Sequence, residues 1–343
     1  LYTSGTTSTP KAAIHTHGMR VAIAGAMADS FALSRQDVAL AISPMFHTSG
    51  MSVFCNAIFV GCPCVMMERF DLARMLETIT DYGVTFLHLI ATLMVDIANA
   101  PAAAFAGFTP RVRMTWGGGH NVNPALLERY EERIGGVLLL GYSRTEGGLT
   151  YNPLDRAQRR FDHNGFTNRN SSDVIVWNHA EQRRCQTDET GEILVAGDGV
   201  SPGYWDGTLT RCPVLVDGSR QPTGDLGRFD VRGALHFIGR TDHMIKSGGE
   251  NVYPSEVADA LLCVDGVSDV AVVGVPDARY GAIVAAVVVR SNPALTVEDV
   301  QNGARARLAG FKIPRRVVFS DGLPRLGTEK VDLKRCAELA GAA

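Results

Sequence analysis

Val137-Leu-Leu-Leu-Gly-Tyr-Ser-Arg-Thr-Glu-Gly-Gly148 reads as a short buried strand, Val137–Leu140, running into a glycine-bounded loop that carries Arg144 and Glu146. A wholly apolar run of this length suits a strand covered on both faces, as in a parallel sheet. Working back from it, apolar runs and helix-period segments alternate. Strands are expected at Val38–Ile42, Cys64–Met67, Val84–Leu87 and Val112–Trp116. Helices are expected at Met51–Val60, Leu72–Tyr82 with Asp71 as N-cap, Ala91–Ala98, and Asn123–Arg133 with Pro124 in its first turn. Such alternation predicts an α/β domain with a mostly parallel, helix-covered sheet. Ligands of such sheets sit at the carboxyl ends of the strands, where Gly141–Gly148 falls.

Toward the C-terminus the pattern changes twice. Residues 150 to 240 show short strands between Gly, Asp and Asn: Asp173–Trp177, Glu192–Ala196, Leu226–Asp230 and Ala234–Ile238. That is a β-rich subdomain with tight turns. Residues 243 to 343 read as a compact α+β unit. It has helices at Ser255–Leu262 and Val297–Leu308, strands at Val267–Val275 and Ile283–Val289, one near Val317, and a final Lys-bearing segment.

Composition removes several classes. Apolar residues make up 45% of the 343 residues and charged residues 20%, enough for a substantial core and unlike a disordered chain. A net charge of −3 gives no basic footprint for nucleic acid. Val38–Met67 contains no charged side chain, but Pro44, His47, Gly50, Asn56, Gly61 and Pro63 interrupt it, so no membrane span is expected. The seven cysteines are odd in number and scattered, which predicts reduced thiols and a cytoplasmic protein. Cys62-Pro-Cys64 lacks a second Cys/His pair at zinc-site spacing.

Five segments can carry chemistry. Tyr2-Thr-Ser-Gly-Thr-Thr-Ser-Thr-Pro-Lys11 gathers hydroxyls, a glycine and a lysine, which suits phosphate oxygens but equally a solvated Ser/Thr linker. It is not a Walker A loop, because Pro10 stands where glycine is needed. Glu146, after a strand, suits a metal ion beside phosphates or a favourable first helical turn. Thr223-Gly-Asp225 with Gly239-Arg-Thr-Asp242 suits a ribose diol or a pair of salt-bridged turns. Ile245–Pro254 and Leu323–Lys330 are, singly, Gly/Pro-rich loops with a charge.

Taken in order, the five resemble the adenylate-forming (AMP-binding) superfamily, in its acyl-CoA synthetase branch, over essentially the whole chain. Thr3–Lys11 matches its phosphate loop, Tyr142–Glu146 its Y-G-x-T-E, Gly191–Trp205 its G-E-[IL]…G-Y-W. Thr223–Asp225 and Gly239–Asp242 match T-G-D and G-R-x-D, Lys246–Pro254 matches K-x-x-G-x-x-[IV]-x-P, and Lys330 the closing lysine.

The resemblance implies two domains, 1–241 and 242–343, and an ATP-dependent acid–CoA ligase. Carboxylate and ATP would give acyl-adenylate and pyrophosphate, and CoA would then take the acyl group and release AMP. ATP, Mg²⁺ and CoA are the implied cofactors. Ser4, Gly5, Thr6, Thr7 and Lys11 would embrace the β- and γ-phosphates. Glu146 with Thr3 would hold the metal. Tyr142 and Thr145, beside Gly117, Gly118 and Gly119, would border the nucleotide. Asp225 would bind the ribose with Arg240 in support. Asp242 would be the hinge, Lys246, Gly248 and Gly249 would line the CoA arm, and Lys330 would serve catalysis with Glu146. His47 would border the acyl pocket. Met45, Met51 and Met66 point to an apolar acid, with fatty, aryl or carnitine-like acids as the expected substrates.

Ser8, Ser143 and Glu329 replace glycines of the pattern, and Asp206–Pro222 lacks its G-W-[FY]. The family's segment before the phosphate loop is not in this sequence. An N-terminally truncated large domain with apolar surface, a separately supplied segment and a homodimer are the arrangements this leaves open. A unit loading a carrier protein and a non-catalytic fragment are the competing readings.

Overall fold

The computed structural model describes residues 1–3, 11–118, 122, 124–154, 161–205, 207, 209–211, 215–326 and 330–342. Their contacts divide the chain into two units: Leu1–His120, Pro124–Thr223 and Gly227–Phe237, then Asn121–Asn123, Gly224–Leu226 and Ile238–Ala343.

The first unit starts with an antiparallel pair, β1 (Tyr2–Thr3) and β2 (Lys11–Ala13), whose register sets Thr3 opposite Lys11. Helix α1 (His17–Ser30) follows, capped by the Thr16 hydroxyl, which accepts from the Met19 amide at 3.0 Å. Then come β3 (Ala39–Ala41), α2 (Thr48–Val60), β4 (Cys64–Met66), α3 (Leu72–Tyr82), β5 (Phe86–Ile90), α4 (Ala91–Asn99), β6 (Met114–Gly118), α5 (Pro124–Ile134) and β7 (Val137–Leu140). The five strands form one sheet, order β4-β3-β5-β6-β7, with every pair parallel. This is the predicted helix-covered parallel sheet. Helix α3 shows why its bounds were readable. The Asp71 carboxylate caps the Arg74 amide at 2.9 Å, and Gly83 closes the other end in the left-handed conformation. Between the caps Met75, Leu76 and Ile79 are buried, each contributing about 1.5–3 kcal/mol.

An aromatic cluster anchors the sheet: Phe31 lies 6.4, 6.0 and 5.6 Å from Phe86, Trp116 and Tyr151. Beside it Asp37, 5% exposed, takes the Arg113 guanidinium on both oxygens at 3.1 Å and the Thr85 hydroxyl at 2.8 Å. The edge strand β4, helix α2 and the turn before it leave Met66, Ile58 and Phe46 exposed at 59, 66 and 66%. Among the described residues no helix is long and apolar enough to cross a membrane.

The β-rich stretch contains β8 (Thr150–Tyr151), β9 (Phe166–Thr167), β10 (Asp173–Asn178), β11 (Arg183–Arg184), β12 (Gly191–Ala196), β13 (Gly203–Trp205), β14 (Leu209–Arg211), β15 (Gln221–Phe229) and β16 (Leu235–Arg240). Strands β11-β10-β12-β15-β16 make one sheet, and β8 pairs with β9. Strands β13 and β14 join the N-terminal pair in the order β1-β2-β13-β14, with Tyr204 opposite Ala13.

In the second unit β17 (Ile245–Ser247), β18 (Glu250–Val252), β19 (Val267–Asp277), β20 (Gly281–Arg290) and β21 (Arg316–Ser320) form a sheet of order β18-β17-β20-β19, with β21 parallel to β20. Side-chain alternation divides its two long strands. Val270, Val272, Val284, Ala286 and Val288 meet α6 (Pro254–Leu262) and α7 (Val297–Arg305). Ala271, Val273, Val275, Ile283, Ala285 and Val287 meet α8 (Leu333–Ala342) through Cys336 and Ala340. The expected large α/β part with a β-rich subdomain, and the smaller α+β part, are both present.

Candidate active site

The carboxyl ends of β6 and β7 create the first part of the site. Gly117 pairs with Leu140, and the Gly141 amide donates to the Gly117 carbonyl at 3.1 Å. The backbones run so close that a Cβ on Gly118 would stand 2.7 Å from the Gly141 carbonyl oxygen. Gly119 lies outside the described residues. The loop that follows presents Ser143, Arg144, Thr145 and Glu146. Ser143 is not among the residues with positive φ, so serine stands there without the strain that a family glycine would suggest.

Glu146 is the centre of a charged cluster. Tyr204 of β13 donates its hydroxyl to Glu146 Oε1 at 2.5 Å, and the Arg144 guanidinium lies 3.4 Å from Oε2. The Lys11 ammonium sits over the Tyr204 ring, 5.6 Å from its centre. The β2–β13 pairing thus delivers Lys11 and Tyr204 to the same place, with the Thr3 hydroxyl donating to the Lys11 carbonyl at 3.4 Å. Ser4, Gly5, Thr6 and Thr7, expected on phosphate, fall outside the described residues, as does Ser8. Among the described residues no three His, Cys, Asp or Glu side chains converge on a point. A single carboxylate suits Mg²⁺ carried on phosphates, which takes one or two protein carboxylates rather than a cage.

Two further groups stabilise the loop. His15 donates Nε2–H to the Thr145 carbonyl at 2.8 Å, and its Nδ1 accepts from Arg20 of α1. Burial and the neighbouring guanidinium push its pKa down to about 4, so the ring is neutral. Tyr142 is 6% exposed and its ring stacks on Phe237, centroids 6.1 Å apart, in a core with Val174, Ile193 and Leu235. This stacking ties the start of the loop to the β-rich subdomain.

A recess opens between α1, α2, β5, β6 and this loop, lined by Arg20, Thr48, Ser52, His88, Trp116 and Arg144 on its polar side and Ile23, Met27 and Leu149 on its apolar side. Its accessible volume is about 20 Å³, room for about one water. His47 is not in its lining. It caps α2, its Nδ1 accepting from the Ser49 amide at 3.2 Å, and the next residues of the helix reach the recess. None of Met45, Met51 and Met66 lines it either. Met66 lies 59% exposed on an edge strand and the other two are half-buried.

The second unit holds the remaining candidates. Asp225, 4% exposed, meets Arg240 Nη1 at 3.2 Å. The same guanidinium forks onto Asp242, Nε to Oδ1 at 2.8 Å and Nη2 to Oδ2 at 3.1 Å, and holds that carboxyl below the usual range. The Thr241 hydroxyl donates to the Gly224 carbonyl at 3.0 Å. Gly248 and Gly249 form the two-residue turn between β17 and β18, Ser247 opposite Glu250, with φ of +61° and +90°. A type I′ hairpin requires that conformation at both positions. Lys246 is exposed on β17, and Lys330 is exposed where the Leu326 amide donates to its carbonyl at 2.8 Å. Glu329 lies outside the described residues. Sequence reasoning missed His15, Arg20 and His88, which stand in no motif. It met Tyr204 only as the middle of Gly203-Tyr-Trp205.

The cluster around Glu146 lies in the loop that leaves the carboxyl end of β7. Residues 1–205 match the AMP-binding enzyme family and residues 256–330 the AMP-binding enzyme C-terminal domain. The chain belongs to the AMP-binding enzyme family. Among similar curated proteins, the 3-[(3aS,4S,7aS)-7a-methyl-1,5-dioxo-octahydro-1H-inden-4-yl]propanoyl:CoA ligase of Rhodococcus jostii is 33% identical over 96% of this chain and 63% of its own length. A long-chain-fatty-acid–CoA ligase of Mycobacterium tuberculosis is 30% identical over 96% and 65%. The chain therefore spans just under two thirds of these relatives. The o-succinylbenzoate coenzyme A synthetase of Bacillus subtilis, solved with ATP and magnesium ion, superposes with a TM-score of 0.80 at 27% identity, over 98% of this chain and 68% of its own.

Proposed function

We propose that the protein acts as an ATP-dependent, AMP-forming acid–CoA ligase, with domains 1–241 and 242–343. The observation that carries this reading is the convergence of Lys11, Tyr204, Glu146 and Arg144 at the carboxyl end of the parallel sheet. The relatives named as CoA ligases support CoA as the acceptor over a carrier protein.

In the first step a carboxylate oxygen attacks the α-phosphorus of ATP and pyrophosphate leaves. Lys11 with Ser4, Gly5, Thr6 and Thr7 holds the β- and γ-phosphates. Thr3 and Glu146 hold Mg²⁺, which neutralises phosphate charge when bound. Tyr204 on Oε1 and Arg144 beside Oε2 fix the orientation of the Glu146 carboxylate that would meet the cation. Gly117, Gly118, Gly119, Tyr142 and Thr145 form the nucleotide wall. Asp225 accepts from the ribose hydroxyls, with Arg240 fixing its orientation. Lys330 stabilises charge developing on the α-phosphate. In the second step the CoA sulfur attacks the acyl carbon and AMP leaves. Asp242 is the hinge between the two steps, Lys246, Gly248 and Gly249 border the CoA arm, and His47 shapes the acyl side through its cap on α2.

The reading extends to a cytoplasmic location. A homodimer and a separately supplied N-terminal segment remain proposals that sedimentation of the intact protein tests. For activity, the test is ATP–pyrophosphate exchange over a panel of carboxylic acids. Acid-dependent, Mg²⁺-dependent exchange is expected, and its absence across the panel in the intact protein overturns the reading.

A further inference from the structure

Glu146 is held through its backbone as well as its side chain. Its Cα stands between two peptide planes, and the carbonyl of each is hydrogen-bonded from outside the loop. His15 donates Nε2–H to the Thr145 carbonyl at 2.8 Å, and the Ser201 amide donates to the Glu146 carbonyl at 2.8 Å. Two peptide planes define the φ and ψ of the residue between them, so these contacts set the direction of the Glu146 Cα–Cβ bond. Ser201 reaches the loop because Gly147 and Val200 form a bridge. The backbones there are so close that a Cβ on Gly147 would stand 2.1 Å from the Gly199 carbonyl oxygen.

Both holders are tied to the stretch that leaves Lys11. His15 follows β2, the strand that begins at Lys11. Ser201 is 1% exposed, and its hydroxyl stands 2.8 Å from the carbonyls of both Ile14 and Gly203. The Ile14 amide donates to the Gly203 carbonyl at 3.0 Å. So Ile14 and His15 are fastened to the same backbone that carries Glu146, and Gly203 leads directly into Tyr204, which holds the Glu146 side chain. Arg20 completes the arrangement. Its guanidinium donates to His15 Nδ1, which places the ring proton on Nε2, the atom that meets Thr145. The other tautomer would set a lone pair against the Thr145 carbonyl oxygen.

We infer that His15 and Ser201 are positioning residues for the first step of the reaction, holding the Glu146 carboxylate in register with Lys11 so that cation and phosphates meet one preset pair of groups. The inference rests on the acid–CoA ligase reading. Both residues act through the backbone of the Glu146 loop. Partners that orient a metal ligand are typically worth about 10–100-fold in metal affinity or activity.

The test uses the intact protein with His15→Leu, His15→Gln and Ser201→Ala, each checked for folding by circular dichroism. Calorimetry measures the affinity for the non-cleavable analogue α,β-methylene ATP with and without Mg²⁺, and for AMP alone. The quantity read is the factor by which Mg²⁺ tightens the analogue. His15→Leu and Ser201→Ala should each reduce that factor roughly tenfold, with AMP and Mg²⁺-free affinities held within about twofold. His15→Gln keeps an N–H for the Thr145 carbonyl and should recover part of the loss. A factor unchanged in folded His15→Leu or Ser201→Ala overturns the inference. So does a parallel fall in AMP and Mg²⁺-free affinity, which marks lost packing rather than lost register, and so does a His15→Gln no better than His15→Leu. An unaltered protein whose analogue affinity ignores Mg²⁺ overturns it as well. Pyrophosphate exchange is read separately. Exchange in the unaltered protein with an unchanged Mg²⁺ factor in the variants leaves the ligase reading standing and removes this one. A Mg²⁺ factor that depends on His15 and Ser201, without exchange for any acid, supports the positioning role and removes the ligase reading.

Discussion

Replacing Arg240 with methionine perturbs two carboxylates at once. Arg240 contacts Asp225 at 3.2 Å and forks onto Asp242 at 2.8 and 3.1 Å. Asp225 is 4% exposed, so Arg240→Met strands a buried charge. Removing one partner of a fully buried pair costs ~3–5 kcal/mol. The Arg240 side chain is 40% exposed, so solvent takes up part of that loss. A net destabilisation of about 1–2 kcal/mol is expected once this screening is allowed for. AMP affinity should fall roughly tenfold or more, because Asp225 loses the group that orients it, equivalent to about 1.4 kcal/mol or more. Urea unfolding followed by circular dichroism reads the first effect, and calorimetric titration with AMP reads the second. The pH dependence has a defined sign. The Asp242 carboxyl is depressed by Arg240, so its contribution is present above its unfolded pKa of about 4 and is lost as pH falls below that. The variant's deficit should therefore shrink in acid. An AMP affinity unchanged within twofold, together with an equal deficit at neutral and acidic pH, would refute the reasoning.

Other variants separate the remaining roles. Lys330→Ala should lower pyrophosphate exchange by about 10²–10³-fold, the scale of losing one transition-state charge contact, while thioester formation from supplied acyl-adenylate persists; equal loss of both steps contradicts the assignment. Tyr204→Phe, which removes the 2.5 Å hydrogen bond to Glu146, should raise the Mg²⁺ concentration needed for half-maximal exchange, and Glu146→Gln should raise it further. An unchanged Mg²⁺ requirement in both speaks against Glu146 as a metal ligand. Asp37→Asn should cost about 2 kcal/mol at pH 7, below the ~3–5 kcal/mol of a fully buried pair because Arg113 is 36% exposed. Burial opposes it, but Arg113 leads the hydrogen bonds that hold the Asp37 carboxyl low, so the unaltered protein should lose this stability as pH falls through and below about 4, and the variant should not.

Local signals were legible where they were local in origin. Asp71 and Gly83 bound α3 because each satisfies backbone groups within one turn, and Val137–Leu140 is a strand in the structure as in the reading. Helix α1 was not located, because Gly18 and Gly25 and its many alanines blur a helical period. The pairing of β13 with β2 joins residues far apart in the chain and leaves no local trace. Tyr142 stood in a recognisable motif, but its stacking on Phe237, distant in the chain, left no local trace. Arg20 and His88 are single residues on separate elements, and only the fold brings them to one recess.

The forked guanidinium also bears on how this site can change over evolutionary time. Arg240 serves both Asp225 and Asp242, so its replacement perturbs two carboxylates at once, whereas replacing either aspartate leaves the other paired with it. A lysine at 240 offers a point charge that serves one carboxylate at a time. Across a lineage position 240 should therefore be the last of the three to change, while the exposed residues around it vary freely.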